Sequence, residues 1–108
     1  MKLLLSPQAW RDISEIDDYS NERWGAEHAE RYITALHEAC RRLVVEPELG
    51  RRRPDLPPSY LAYAVGSHLI VYVVNVQQDR IDVLNVLHPA MDIAGRLRTA
   101  MLTQSRLD

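Results

Sequence analysis

The chain has 108 residues, a length that fits one compact domain with a single hydrophobic core. Apolar residues make up 46% of the sequence and charged residues 26%, which is typical of a folded, soluble protein and excludes a disordered chain. The formal net charge of -2 excludes binding of nucleic acid through overall positive charge, so any such contact must be local. The charge is also uneven, because residues 1–50 hold ten acidic and six basic side chains and residues 51–108 hold five and seven.

The first two predicted elements are a short strand and a helix that follows it without a loop. The apolar run at residues 3–5 predicts the strand, Ser6 is a suitable N-cap, and Pro7 fits the first helical position, where a missing N–H costs nothing. Apolar residues then recur every three or four positions, which predicts an amphipathic helix of about four turns that ends before Gly25. Its predicted buried stripe consists of Trp10, Ile13, Ile16 and then Tyr19 or Ser20.

A second amphipathic helix is predicted after Gly25, which suits the end of the first helix, and it is closed by Pro47. Its predicted apolar stripe consists of Ala29, Tyr32 or Ile33, Leu36, Ala39 or Cys40, and Leu43. Two amphipathic helices joined by so short a break must pack as an antiparallel hairpin. Their shared stripe needs a further apolar surface, which we expect the second half of the chain to supply.

Residues 46–58 contain four of the six prolines and three consecutive arginines, so this segment is predicted to be a connection. Residues 60–65, 68–76 and 81–87 are rich in Val, Ile, Leu and Tyr and predict three consecutive antiparallel strands, the middle one central. Apolar residues from Ile93 onward predict a short C-terminal helix. The predicted class is therefore α+β in one domain over residues 1–108, with the order β-α-α-β-β-β-α, a core over residues 3–97 and a C-terminal helix or tail over residues 91–108.

A single cysteine, Cys40, excludes an internal disulfide and fits a reducing cytosol. His28 and His37 lie about 180° apart around their helix and cannot share an ion, whereas His37 and Cys40 share a face but are too few for a zinc site. We therefore expect no metal and no cofactor, with Cys40 buried as a small hydrophobe. The apolar run at residues 3–5 is too short for a signal peptide, and no run is long enough to span a membrane, so a cytoplasmic location is predicted.

Two features remain as candidates for function, and each has a structural alternative. The run from Arg51 to Arg53 can hold a phosphate backbone or an acidic partner, or it can be a solubilising loop. His88 follows the last strand, where it can be presented at a sheet end or be hydrogen bonded as a structural residue. A Ser67–His68 dyad is excluded because neighbouring side chains on a strand point to opposite faces. The isolated glycines exclude a phosphate-binding loop.

Several short segments occur along the chain in a recognisable order. They are Ala9-Trp10-Arg11-Asp12-Ile13, Ile16-x-x-Tyr19, Trp24-Gly25, Ala29-x-x-Tyr32, Pro47-x-x-Gly50-Arg51, Arg53-Pro54-Asp55, Ser67-His68-Leu69-Ile70-Val71-Tyr72 and Val86-Leu87-His88-x-x-Met91-Asp92. These segments and the order of the elements resemble a known group, the ParE branch of the RelE/ParE toxin superfamily. The resemblance covers roughly residues 3 to 97, and the ordered set of segments is more specific than any single segment. It implies a RelE-like fold, a small antiparallel sheet packed against an N-terminal helical hairpin, and a type II toxin neutralised by a ParD-type antitoxin.

The superfamily contains two activities. RelE-like members cut messenger RNA on the ribosome, which needs a general base and cations aimed at one phosphate. Here Leu69 stands where nuclease relatives commonly carry arginine, and the predicted strand interiors hold no Lys or Arg. The resemblance to the ParE branch instead implies inhibition of DNA gyrase by binding, without catalytic residues. A ribosome-dependent nuclease with His88 as base stays as the alternative activity, and a degenerate toxin that only binds an antitoxin stays as a third reading.

The family's contacts with gyrase do not transfer residue by residue, so the sites remain candidates. The candidates for target binding are polar or flexible groups beside the predicted sheet: Arg51, Arg53, His88, Met91 and Asp92. The antitoxin is expected to fold onto an apolar groove, with its acidic groups near the arginine run. The candidates for antitoxin binding are Ile13, Ile16, Leu36, Leu69, Val71 and Leu97. The tail, residues 98–108, is longer than the family pattern.

Overall fold

The computed structural model describes residues 1–88, so the predicted C-terminal helix and the candidates Met91, Asp92 and Leu97 lie outside the described residues. Within residues 1–88 the predicted order is confirmed. The elements are β1 (Lys2–Leu5), α1 (Pro7–Trp24), α2 (Ala26–Val45), β2 (Leu61–Val65), β3 (His68–Asn75) and β4 (Arg80–Leu87).

The strands form one four-stranded sheet in the order β1-β4-β3-β2. The pairs β2–β3 and β3–β4 are antiparallel, as hairpin connections require, and β3 is internal as predicted. The pair β1–β4 is parallel, so the complete sheet is mixed and the predicted antiparallel pairing holds for three of its strands. β1 can be parallel because the chain passes through both helices before it returns to the sheet.

The predicted start of α1 is confirmed at atomic detail. The Ser6 side chain accepts a hydrogen bond from the backbone N–H of Ala9, and Pro7 occupies the first helical position. The Ser6 hydroxyl also donates to the carbonyl oxygen of Leu84, at 2.7 Å. One side chain therefore caps α1 and joins it to β4.

The buried face of α1 differs from the predicted stripe at Trp10, which is 54% exposed. Ile13 and Ile16 are buried as predicted, and of the two alternatives at the end of the stripe Ser20 is buried and Tyr19 is 57% exposed. The buried face is rotated toward Asp12, whose carboxylate accepts a hydrogen bond from the backbone N–H of Val86 at 2.9 Å. A polar residue thus lies on the side of α1 that faces β4, and the two aromatic residues are left on the outside.

The main core lies between the helical hairpin and one face of the sheet. The predicted α2 stripe is confirmed, and residues of β3 and β4 complete the core: Ile70, Tyr72, Ile81, Val83 and Val86. Val83 and Val86 are three positions apart because the register of the β3–β4 pair shifts between them. Cys40 is buried as predicted. Burial raises the pKa of its thiol to about 11, so the thiolate form that reacts or binds metal is disfavoured at neutral pH.

The opposite face of the sheet carries a second, smaller apolar cluster. The connection from α2 to β2 folds back along the sheet, and the backbones of Arg51 and Ala62 exchange two hydrogen bonds of 2.9 Å. Leu56 of this connection packs with residues of three strands, which are Ala62, Leu69, Val71 and Leu87. The connection therefore covers part of this second face. Among residues 1–88, no helix is both long and apolar enough to cross a membrane.

Candidate functional site

The three consecutive arginines have different environments. The Arg52 guanidinium donates to the carbonyl oxygen of Pro58 at 2.9 Å. Arg53 binds the Asp55 carboxylate through two hydrogen bonds, of 2.9 and 3.0 Å, which hold the pKa of Asp55 below its ordinary value. The exposed Arg51 side chain makes no hydrogen bond or ion pair with any of residues 1–88. Arg51 is therefore the residue of this run whose guanidinium is available to a partner.

His68 and His88 lie side by side at the end of the sheet that is near Tyr32. Their ring centroids are 5.5 Å apart at an interplanar angle of 87°, and the Tyr32 hydroxyl lies 2.5 Å from Nδ1 of His68. That hydroxyl also accepts a hydrogen bond from the backbone N–H of Ser67 and lies 3.2 Å from the carbonyl oxygen of Val65. We call Tyr32, His68 and His88 the histidine cluster.

The turn beside the histidine cluster requires glycine. Gly66 and Ser67 alone connect β2 to β3, and Gly66 has φ +56°, as a first glycine has in a tight hairpin turn. A Cβ at Gly66 would lie 2.7 Å from the Tyr32 ring, closer than packed atoms approach. The turn therefore brings its backbone directly against Tyr32, which holds the hydroxyl next to His68.

Arg51 and His68 lie on opposite faces of the sheet. Arg51 is paired with Ala62, which is paired with Val71, so the three residues share the face of the smaller apolar cluster. His68 precedes Ile70 by two positions on β3 and so shares the face that packs against the helices. The available guanidinium and this imidazole therefore do not meet in one cleft. The described part of the chain, residues 1–88, also brings together no group of three potential metal ligands.

Acidification should destabilise the protein through His68. Burial, and secondly the charge of His88, lower the pKa of His68 from its ordinary value of 6.5. Between the lowered pKa and 6.5 the unfolded chain binds more protons than the folded chain, so the free energy of unfolding decreases as pH falls through that window. Urea unfolding from about pH 7.5 to about pH 5 should show this decrease, and His68→Gln should remove it.

In His88→Gln, NMR titration should place the pKa of His68 nearer 6.5, and an unchanged value would contradict the prediction.

An open groove lies where β3 extends beyond β2. β2 begins at Leu61 opposite Tyr72, so Val73 and Val74 are paired with β4 on one side only. The groove has a volume of about 1060 Å³, and Leu49, Leu61, Val73 and Val74 form its apolar lining, with Glu46, Glu48 and Arg52 at its polar positions. It combines an unpaired strand edge with apolar side chains, which suits an extended partner segment.

The residues predicted to bind the antitoxin lie mostly inside the protein. Ile13, Ile16 and Leu36 are at most 9% exposed and pack in the main core. Leu69 and Val71 are 8% and 0% exposed in the smaller cluster on the other face. Their side chains are therefore not surface contacts in this conformation. The sequence pattern identified apolar positions, but it did not identify which of them the protein itself covers.

The exposed aromatic residues at the turn of the hairpin were not recognised in the sequence. The Tyr19 and Trp24 rings meet edge to face at 5.9 Å, and Trp24 lies 5.2 Å from the His28 ring. The Arg23 guanidinium carbon lies 5.8 Å from the centre of the Trp24 ring. We call Tyr19, Arg23, Trp24 and His28 the hairpin tip. An available signal was the position of Trp24, directly before Gly25, where the helical stripe has ended.

Residues that carry the family resemblance bind one another. The Tyr72 hydroxyl donates to the Pro47 carbonyl oxygen and accepts from the Gly50 N–H, Asp12 accepts from Val86, and Tyr32 binds the Ser67–His68 turn. These three contacts join segments far apart in the chain. Together with the Ser6–Leu84 bond and the Arg51–Ala62 backbone pair, they fix the helical hairpin and the proline-rich connection onto the sheet.

Comparison with known proteins identifies the family. Residues 3–93 match the family described as the ParE toxin of type II toxin-antitoxin system, parDE. The chain belongs to the ParE toxin family. The sequence of this ParE toxin is 38% identical over 96 residues to Toxin ParE1 of Mycobacterium tuberculosis, covering 89% of this chain and 97% of that protein. It is 33% identical over 93 residues to Toxin ParE1 of Caulobacter vibrioides, covering 86% of this chain and 94% of that protein.

Solved structures show the same fold. The ParE toxin superposes on a chain of the chromosomal ParDE system from P. aeruginosa with a TM-score of 0.71 and 20% identity, covering 82% of this chain and 95% of that chain. The isolated E. coli RelE toxin gives a TM-score of 0.55 and 13% identity, covering 94% of this chain and 97% of that one. The fold is thus shared by ParE and RelE proteins, so it does not by itself distinguish their activities.

Proposed function

We propose that this ParE toxin inhibits DNA gyrase by binding to it in the cytoplasm and that a ParD-type antitoxin neutralises it. Membership of the ParE family supports the proposal, as does the fold shared with a chain of the P. aeruginosa ParDE system. The toxin would act as a binding protein, with no covalent step of its own.

The separation of Arg51 from His68 by the sheet favours binding over RNA cleavage. Cleavage of a phosphodiester needs positive charge at the phosphate close to the general base. Arg51 lies on the face opposite to His68, and Arg53 is occupied by Asp55. Leu69, at the position where nuclease relatives commonly carry arginine, is buried among apolar side chains.

The groove beside β3 is the proposed antitoxin site. An extended antitoxin segment there would pair with the free edge at Val73 and Val74 and bury the apolar lining. Acidic antitoxin groups would bind the available Arg51 guanidinium.

Arg51 is also the proposed charged contact with gyrase, so the antitoxin would neutralise the toxin by covering it. Arg53, His88, Met91 and Asp92 remain further candidates for this contact. Arg53 would contribute less than Arg51, because a partner would first have to displace Asp55 from its guanidinium.

Supercoiling and translation assays on the same purified toxin test the proposal. We expect the wild-type toxin to inhibit gyrase supercoiling and to leave ribosome-bound messenger RNA intact, and the purified antitoxin to reverse the inhibition. Arg51→Ala should weaken the inhibition about tenfold, the effect of losing one good charged contact, whereas Arg41→Ala, which removes an exposed arginine of α2, should not. Cleavage of messenger RNA without inhibition of gyrase would contradict the proposal.

The pair His68 and His88 favours one second candidate, a ribosome-dependent endoribonuclease. Two imidazoles with ring centroids 5.5 Å apart can serve as general base and general acid if the ribosome supplies the missing positive charge. In that case His68→Ala and His88→Ala would each abolish cleavage of messenger RNA in a translation extract.

A further inference from the structure

We propose that the hairpin tip, with the acidic residues around it, docks onto a positively charged protein surface of the kind that holds DNA. This inference rests on the proposed function, because gyrase handles DNA and is the partner to which we assign that surface. The tip would be a second contact with the target, separate from Arg51.

The aromatic residues of the tip form a connected, exposed patch. Single exposed apolar residues are normal on protein surfaces, but Tyr19 and Trp24 are 57% and 55% exposed and still contact each other edge to face. His28 and Arg23 also contact the Trp24 ring, so the indole has three neighbours within the tip before any partner binds. Tryptophan, tyrosine and arginine are the residues that dominate binding energy in protein interfaces. The patch therefore has the composition and the preorganisation of a docking site.

The charge around the patch determines what can dock there. Residues 15–31, which include the tip, contain two arginines, Arg23 and Arg31, and six acidic residues: Glu15, Asp17, Asp18, Glu22, Glu27 and Glu30. All except Asp17 are exposed, and none of the six forms an ion pair with another part of residues 1–88. Excess negative charge repels nucleic acid and an acidic antitoxin segment, and it attracts a basic protein surface.

The position of the tip separates it from the proposed antitoxin site. The tip lies at Gly25, just before α2 begins, whereas Arg51 and several residues that line the groove lie on the connection that follows the other end of α2. A helix of this length spans about 30 Å. An enzyme that binds DNA must present a surface of concentrated positive charge to the phosphates. Such a surface matches both the charge and the aromatic character of the tip.

The test compares Trp24→Ala with Trp10→Ala, which removes an equally exposed tryptophan from the first half of α1. Trp10 is 54% exposed and contacts His37, so the two variants lose similar surface at different places. We expect Trp24→Ala to weaken binding to purified gyrase at least tenfold and binding to the antitoxin less than twofold, and Trp10→Ala to change gyrase binding less than twofold. Retained antitoxin binding would show that the variants are folded.

A double variant, Asp18→Asn with Glu22→Gln, tests the charge separately. Raising the salt concentration should weaken gyrase binding of the wild-type toxin more than that of the double variant, because screening removes an attraction that the variant has already lost. Equal gyrase affinities of Trp24→Ala and Trp10→Ala would overturn this inference alone. Loss of antitoxin binding in Trp24→Ala with gyrase binding intact would assign the tip to the antitoxin and also overturn it. Failure of the wild-type toxin to bind gyrase would overturn the proposed function together with this inference.

Discussion

Replacement of Tyr72 by phenylalanine is expected to lower the free energy of unfolding by about 1–3 kcal/mol, the usual cost of leaving buried polar groups unpaired. The hydroxyl donates to the Pro47 carbonyl oxygen at 2.7 Å and accepts from the Gly50 N–H at 2.8 Å. The ring itself is fully buried, so phenylalanine would fill the same space and remove only these two bonds. Urea unfolding measures the loss directly.

Gly50→Ala should weaken the same contact from the other side. A Cβ at Gly50 would lie 2.5 Å from the Tyr72 hydroxyl, which is held in place by its two hydrogen bonds. We expect a loss of about 1–3 kcal/mol from this overpacking. Tyr72→Phe and Gly50→Ala disturb the same contact. The double variant should therefore lose less free energy of unfolding than the two single variants lose in sum.

Tyr63→Phe is the matched control for this contact. Tyr63 lies on the neighbouring strand, and its hydroxyl makes no hydrogen bond within residues 1–88. The control should change stability by less than about 0.5 kcal/mol. If Tyr72→Phe is as mild as Tyr63→Phe, the connection is not held by this hydroxyl.

Asp12→Ala is expected to cost about 1–3 kcal/mol, because the buried N–H of Val86 would lose its acceptor. Asp12→Asn keeps an oxygen that can accept the same bond and should be much milder. Asp18→Ala, at an exposed position of the same helix, should change stability by less than about 0.5 kcal/mol. Thermal and urea unfolding of the three variants would rank them in this order, and equal losses in Asp12→Ala and Asp18→Ala would contradict the assignment.

The pH dependence of Asp12 provides a further check. Burial raises the pKa of this carboxyl above 3.8 in the folded state, although the Val86 and Gln8 hydrogen bonds oppose the shift. The folded chain then binds more protons than the unfolded chain between 3.8 and the raised pKa, so stability from this group falls as pH rises through that window. We therefore expect the free energy of unfolding of the wild-type toxin, measured relative to that of Asp12→Asn, to be greatest below pH 3.8. This difference should fall as the pH rises to the raised pKa of Asp12 and stay constant at higher pH.

The contacts of Asp12, Tyr32 and Tyr72 explain why a family pattern can be specific for a fold without revealing an activity. Each lies in a segment that carries the resemblance, and each has a hydrogen-bond partner in another such segment. Their side chains are used to join helices and loops to the sheet. The surfaces proposed for partners include Arg51 and Trp24, which also lie in such segments but have exposed side chains, and Val73, which lies outside them and is paired with a neighbouring strand on one side only.

The sequence by itself determined the elements whose cause is local. Ser6 and Pro7 predict the start of α1, the apolar periodicity predicts both helices, and the apolar segments 60–65 and 68–76 predict the strands β2 and β3. These features depend on residues within a few positions of one another, and they are confirmed.

Only the tertiary structure decided which polar and aromatic residues are turned inward. Trp10 is predicted in the buried stripe of α1 but is exposed, whereas Asp12, which is not in that stripe, is buried and accepts a hydrogen bond from the N–H of Val86, 74 residues away. The parallel pairing of β1, the capture of Arg53 by Asp55 and the separation of Arg51 from His68 likewise depend on the final packing. Helical periodicity sets which residues share a face, whereas the direction of that face is fixed by the partners that the rest of the fold brings to it.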